Sequence, residues 1–285
     1  ANDMAGDDRG ERTLAGRHIA ITRPPEQAGV LARALEALGA RVTALPAIAI
    51  APLADPAPLD GALDELATYD WIVFTSVNGV AAVADRLTAR GSAWQARGRA
   101  RVAAIGPATA RALAERGVTP DVVPEEFVAE ALGEALGNVA GQRILLPRAD
   151  IAREALAREL VVRGAEVSQV TAYRTVPQRL APELLARVIG AAPADAITFT
   201  SSSTVHALVG SLRAADREPA QALGGIALAA IGPITAATLR EEGLTPALVA
   251  EEYTVAGLVR ALVSYFAAAS PVSLPSPLSP EEPTT

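Results

Sequence analysis

Residues 167–177 read VSQVTAYRTVP, with Tyr173 near the end. Small polar residues alternate there with β-branched ones, the period-two pattern of an extended segment. The stretch lies between two half-chains that look like copies of each other. It therefore reads as one of two tethers joining two α/β lobes, with Tyr173 facing the cleft between them.

The copies show in landmarks held at a nearly constant offset. Phe199-Thr200-Ser201 repeats Phe74-Thr75-Ser76 after 125 residues. Ala230-Ile231-Gly232-Pro233-Ile234-Thr235 repeats Ala104-Ile105-Gly106-Pro107-Ala108-Thr109 after 126, and Glu251-Glu252-Tyr253 repeats Glu125-Glu126-Phe127 at the same spacing. Residues 142–146 match 17–21, and Arg148 matches Arg23. Such register marks a duplicated unit.

Within each unit strands alternate with helices. Residues 17–22 read as a buried strand, and Pro24 opens a helix where proline is tolerated. Val30, Leu31, Ala34, Leu35 and Leu38 line one face of that helix, which Gly39 ends. Residues 41–50 are extended and broken by Pro46, and a proline-rich connection follows over 52–58. Strands are expected at 70–75, 101–105 and 121–123, with helices at 77–90, 107–116 and 128–136. Alternation of this kind implies parallel sheets covered by helices on both faces, joined by right-handed crossovers.

The bulk numbers bound the function. A chain of 285 residues can hold two domains with separate cores. Half the residues are hydrophobic but only 4% are aromatic, so the cores are built of Ala, Val, Leu and Ile. A net charge of −7 argues against a nucleic-acid partner, which needs Lys and Arg for its phosphates. The lack of cysteine excludes disulfides and thiolate metal sites, and it fits a reducing cytoplasm. The first dozen residues are charged, so no signal peptide is expected. Met4, the only methionine, is the expected native start. Residues 219–239 carry no charge, but Gly224-Gly225 and Gly232-Pro233 would break a spanning helix, so no membrane segment is expected. A monomer is the default.

In open parallel sheets ligands sit beyond the carboxyl ends of the strands. Four hydroxyl-bearing turns fall there. The two Ile-Gly-Pro-x-Thr turns place Gly106, Thr109, Gly232 and Thr235 at helix N-termini, whose free N–H groups suit an anion. Ser76 and Asn78, and Thr200, Ser201 and Ser202, form the other two. N-capping alone would account for such turns, although the second has more hydroxyls than a cap requires. Arg23 and Arg148 follow equivalent strand ends and could hold carboxylates in paired hydrogen bonds. His18 and His206 read as structural, since neither has a visible partner. The Tyr173 phenol could give a proton or hydrogen bond to a leaving oxygen.

Taken as an ordered set, Thr22-Arg23-Pro24, the segment 70–76, the segment 104–109, Leu145-Leu146-Pro147-Arg148, the segment 172–177, Phe199-Thr200-Ser201 and the segment 230–235 resemble the uroporphyrinogen-III synthase family. The resemblance runs from about Gly16 to Phe266. It implies two similar flavodoxin-like lobes joined by a two-stranded β linker. Lobe 1 would be discontinuous, over 14–41 and 178–268, and lobe 2 would span 52–166. The linker strands would be 42–51 and 167–177, with disordered tails at 1–13 and 269–285.

The implied reaction converts hydroxymethylbilane, a linear tetrapyrrole polycarboxylate, to uroporphyrinogen III, with loss of water and inversion of the last pyrrole ring. No metal or organic cofactor is implied. Tyr173 would assist departure of the hydroxyl. Thr22, Arg23, Ser76, Asn78, Gly106, Thr109, Arg148, Thr200, Ser201, Ser202, Gly232 and Thr235 would hold the substrate. The rival reading is a two-lobed binding or sensor module that closes on an anionic small molecule without catalysing anything.

Overall fold

The computed structural model describes residues 13–126, 128–152 and 154–269. The expected tails, 1–13 and 269–285, lie outside the described residues save for Thr13 and Ala269, and so does the landmark Phe127. The chain opens with β1 (His18–Ile21), α1 (Pro25–Ala37), β2 (Arg41–Ala44) and β3 (Ile48–Ala51). Its middle holds α2 (Ala57–Asp64), β4 (Trp71–Phe74), α3 (Val77–Ala89), β5 (Arg101–Ala104) and α4 (Pro107–Ala114). After α5 (Ala129–Ala135) come β6 (Arg143–Ala149), α6 (Ala155–Val162) and the long β7 (Glu166–Pro177). The last part contains α7 (Pro182–Ile189), β8 (Ala196–Phe199), α8 (Ser202–Ala214), α9 (Pro219–Ala222) and β9 (Ala227–Ala230). It ends with α10 (Pro233–Glu241), β10 (Leu248–Val249) and α11 (Val255–Ala269).

These strands form two five-stranded sheets, β10-β9-β8-β1-β2 and β3-β7-β6-β4-β5. Every pairing is parallel except β3 with β7. Strands β1, β4, β8 and β9 are buried at every position, as expected where helices cover both faces of a sheet. Ala20 joins one apolar cluster while its neighbours Ile19 and Ile21 join another on the opposite face. The middle sheet is sandwiched in the same way, with Ile72 and Phe74 on one side and Trp71 and Val73 on the other. Among the described residues no helix is long and apolar enough to cross a membrane.

The duplication has a topological form. In the first sheet the strands, taken in chain order, lie 5-4-3-1-2. The second sheet repeats this arrangement when β6 takes the place of β1, β7 of β2, β4 of β8 and β5 of β9. Val122, bridged in parallel to Ala103, then stands where β10 stands in the first sheet. The second copy is thus the first one circularly permuted. The constant offset records sheet position, and a cut near the middle of the chain would sever β6 and β7 from their own sheet.

The stretch 42–51 differs from a single tether strand. Arg41–Ala44 extends the first sheet alongside β1, and Leu45 N and Ala47 N still donate to Ile21 O and Thr22 O at 2.8 and 3.2 Å. Pro46 between them has no N–H to give and ends the regular ladder. Ile48–Ala51 then pairs antiparallel with Arg174–Pro177. Strand β7 likewise serves twice, parallel to β6 over most of its length and antiparallel to β3 at its end.

Strand order reverses between β1 and β8 in one sheet and between β6 and β4 in the other, and such switch points form a crevice at the carboxyl edge. In the second sheet the ladder beside the crevice ends short of Pro147. The β4–β6 ladder stops at Ile72↔Leu145, two residues before this proline, and β6 runs on without β4 to Ala149.

Candidate functional site

The residues at the two switch points meet across the molecule. Arg23 follows β1, and its Nη2 donates to Gln27 Oε1 at 3.4 Å, one turn along α1. Gln27 Nε2 donates to Asn78 Oδ1 at 2.6 Å, in the first turn of α3. The Tyr173 hydroxyl lies 3.0 Å from Ser76 Oγ, and Ser76 Oγ accepts from Gly79 N at 3.0 Å as the N-cap of α3. A polar chain therefore runs from the carboxyl edge of one sheet to that of the other.

Tyr173 owes its position to a bulge. Arg148 pairs with Thr171 and Ala149 with Tyr173, so Ala172 is an extra residue in β7. Burial along the strand accordingly changes phase, with Val170 and Ala172 buried and then Tyr173 and Thr175. Bulges of this type re-aim side chains beside ligand sites. Asp150 fixes the strand on either side: its N–H donates to Tyr173 O at 3.2 Å, and its Oδ1 accepts from Thr175 N at 3.0 Å. Tyr173 as a whole is 7% exposed. Burial pushes its pKa above the ordinary phenol value, against an opposing pull from hydrogen bonding to Ser76 and Asn78. It is held as a neutral acid. Ser76 Oγ already accepts from Gly79, so its own hydrogen can go to the phenol oxygen and leave the phenol hydrogen for a ligand.

Arg23 completes the polar lining. Its Nε is out of water and has no hydrogen-bond partner among the described residues, and burial lowers the pKa of the guanidinium. A guanidinium in that state is suited to a carboxylate brought in by a ligand. Arg148 instead donates from Nη2 to Ala152 O at 2.6 Å and from Nη1 to Gln169 Oε1.

The other expected residues divide into two groups. Gly106, Ser201 and Gly232 are N-caps of α4, α8 and α10, so their helices' free N–H groups point off the carboxyl edges. Gly106 and Gly232 are extended, at φ −173° and −172°. At Gly232 a Cβ would sit 3.1 Å from the ring of Tyr253, a tight contact that the exposed ring would have to relieve by a small shift. Thr200 is half-buried beside Ser201. The remaining hydroxyls face inward. Thr22 is fully buried and gives its hydrogen to Thr198 O at 2.8 Å, stitching β1 to β8. Ser202 Oγ lies 2.7 Å from Thr238 Oγ1 and ties α8 to α10, while Thr109 and Thr235 are buried in the first turns of α4 and α10.

His18 Nε2 meets Thr43 Oγ1 at 2.8 Å inside the first sheet's edge, and exposed His206 meets Glu242 Oε1 at 2.8 Å on a helical surface. Neither of these contacts involves a member of the polar chain. A groove along α5, lined by Glu125, Glu126, Glu130 and Glu134, has the wrong charge for an anion. Sequence reading missed Gln27. Its signal was its place in the first turn of α1, just after the strand end that carries Arg23.

Comparison with known proteins bears on the whole chain. Residues 29–260 match the family model described as uroporphyrinogen-III synthase HemD. The uroporphyrinogen-III synthase of Synechococcus elongatus is 36% identical over 257 residues, which is 88% of this chain and 96% of that protein. A putative uroporphyrinogen-III synthase of Methanothermobacter thermautotrophicus is 36% identical over 249 residues, 86% of this chain and 96% of that one. A crystal structure of a mutant uroporphyrinogen III synthase from Thermus thermophilus superposes with a TM-score of 0.62 at 23% identity, covering 88% of this chain and 99% of its own. The Helicobacter pylori enzyme structure gives 0.55 at 19% identity over 87% and 99%. The structural likeness carries the fold, and the sequence likeness carries the family.

Proposed function

The chain belongs to the uroporphyrinogen-III synthase family, and from that premise we infer that it cyclises hydroxymethylbilane to uroporphyrinogen III, with loss of water and inversion of the last pyrrole ring. Identity of 36% across nearly the full length of both chains carries this reading and disfavours a non-catalytic binding module. The division into a discontinuous lobe, 14–41 with 178–268, and a continuous one, 52–166, belongs to the same proposal, with β3 and the end of β7 as the clasp between them. The 2-1-3-4-5 strand order supports the label flavodoxin-like for each lobe. The protein would act in the cytoplasm as a monomer, without nucleic acid.

Tyr173 gives its proton to the hydroxyl of the bilane, and water leaves. The cation left behind, a protonated azafulvene, cyclises, and the proton lost from the attacking ring on closure restores the phenol. A neutral phenol buried at the carboxyl edge, its oxygen 3.0 Å from Ser76 Oγ, fits this role. The azafulvene can also close to the uninverted isomer without help. The protein's further task is therefore to hold one folded geometry and to keep water away. Arg23, the N-termini capped by Ser76, Gly106, Ser201 and Gly232, and the hydroxyl of Thr200 supply local positive potential for the carboxylates. The other expected binding residues, Thr22, Asn78, Thr109, Arg148, Ser202 and Thr235, would shape the crevice around them.

The test is Tyr173→Phe, assayed with fresh hydroxymethylbilane and resolution of the product isomers after oxidation. Formation of the inverted isomer should fall by about two orders of magnitude. Near-full activity in the variant would remove Tyr173 from the mechanism, and only the uninverted isomer from the wild type would defeat the enzyme reading.

A further inference from the structure

The polar chain between the sheets has a direction, and Arg23 sets it. A guanidinium can only donate, so the end of the Gln27 amide that faces Arg23 must be Oε1. Nε2 is then the end that reaches the other lobe, and it meets Asn78 Oδ1 at 2.6 Å. With Oδ1 taken, the Asn78 amide keeps only its donor end for the Tyr173 phenol, whose hydroxyl lies 3.0 Å from Ser76 Oγ, two residues before Asn78 in the same N-terminal turn of α3. The phenol oxygen can then accept from both Asn78 and Ser76, and its own hydrogen is the one free to be given away. The amides of α1 and α3, 51 residues apart in sequence, close this chain only when the two carboxyl edges face each other.

We propose that Gln27 is a positioning residue: it spans the lobes, fixes the orientation of the Asn78 amide, and thereby aims the Tyr173 hydrogen at the substrate. The catalytic half of this inference rests on the reaction inferred above, whereas the spanning half does not.

Two substitutions at one position separate spanning from aiming. Gln27→Ala removes both. Gln27→Glu keeps an acceptor for Arg23 but can meet Asn78 only through the latter's donor end, so the span survives while Asn78 turns its oxygen to the phenol. The chain has no cysteine, so a donor–acceptor dye pair can be placed on Val162→Cys in α6 and Ala214→Cys in α8. Without substrate, Gln27→Ala and Asn78→Ala should each widen the distance distribution, and the double variant should widen it no further. Gln27→Glu should leave the distribution as in the wild type.

With substrate, both Gln27→Ala and Gln27→Glu should lower kcat for the inverted isomer about tenfold, the size of one lost hydrogen bond to a reacting group, and raise the share of the uninverted isomer. The Tyr173 titration, read by ultraviolet difference against Tyr173→Phe, should move upward in Gln27→Glu. An unchanged distance distribution in Gln27→Ala overturns the span. Wild-type kcat and titration in Gln27→Glu overturn the aiming role. If the wild type itself makes no inverted isomer, the reaction reading falls, and the distance and titration measurements still decide the role of Gln27.

Discussion

Arg23 presents the problem of a cationic side chain drawn partly out of water with no carboxylate to meet it among the described residues. Its contacts are one long hydrogen bond to a neutral amide, and its Nε has none. Leaving a charge in that state costs folding free energy, which a ligand carboxylate can return on binding. Arg23→Met keeps most of the side chain's length and removes the charge. Its melting temperature should be equal to or above that of the wild type, while KM for the bilane should rise about ten- to a hundredfold, the range for hydrogen bonds to a charged group. Paired thermal melts and steady-state assays check this. A variant that melts lower with unchanged KM would make Arg23 a structural residue. Tyr173 shows the same trade of burial for function, but there the signal in the chain was fainter. Its phase along β7 depends on the extra residue Ala172, and a bulge is a matter of register with β6 that alternation alone does not encode.

At the scale of elements, the strand–helix turns were legible because each carries its own chemistry. Ser76 and Ser201 both cap helices of 13 residues, and Gly-Pro opens α4 and α10. Hydroxyl direction was not legible, since Thr22 and Ser202 satisfy themselves against neighbouring elements that only the fold supplies. The edge pair β1–β2 shows a further consequence. His18 in β1 is buried, with Nε2 on Thr43 of β2 and Nδ1 without a partner. Desolvation, and then the charge of Arg41, lower its pKa from 6.5. The unfolded chain therefore binds this proton more readily than the fold does. The stability due to neutral His18 is complete above about pH 6.5 and is lost as pH falls from there through the folded value. Melting temperatures measured from pH 8 down to 5 should drop a few degrees further in the wild type than in His18→Gln. Parallel pH curves for the two proteins would contradict that account of the β1–β2 pair.

At the scale of the molecule, the repeat revealed two copies of one unit but concealed how they are threaded. A circular permutation preserves every local motif and the offset between copies, so no residue marks it. What marks it is the pairing of β6 with both β4 and β7. The facing of the two switch points was hidden for the same reason, since Gln27 and Asn78 become neighbours only once both sheets exist. The whole-molecule charge, by contrast, is open to view and sets a last expectation. The chain carries −7, and the inferred substrate is a polycarboxylate, so the two repel at long range. The groups proposed to attract it, Arg23 and the helix N-termini, would lie in a crevice and act at short range. Salt shortens the Debye length from about 30 Å at 0.01 M to about 10 Å at 0.1 M. Over that interval it should screen the repulsion more than the contacts within the crevice. The value of kcat/KM should therefore rise severalfold between those salt concentrations, the reverse of an enzyme whose overall charge steers its substrate inward. A series of initial rates at fixed pH measures this directly. A steady fall over the same interval would mean that the potential at the crevice mouth is already positive against the charge of the whole, and that Arg23 is felt well beyond contact distance.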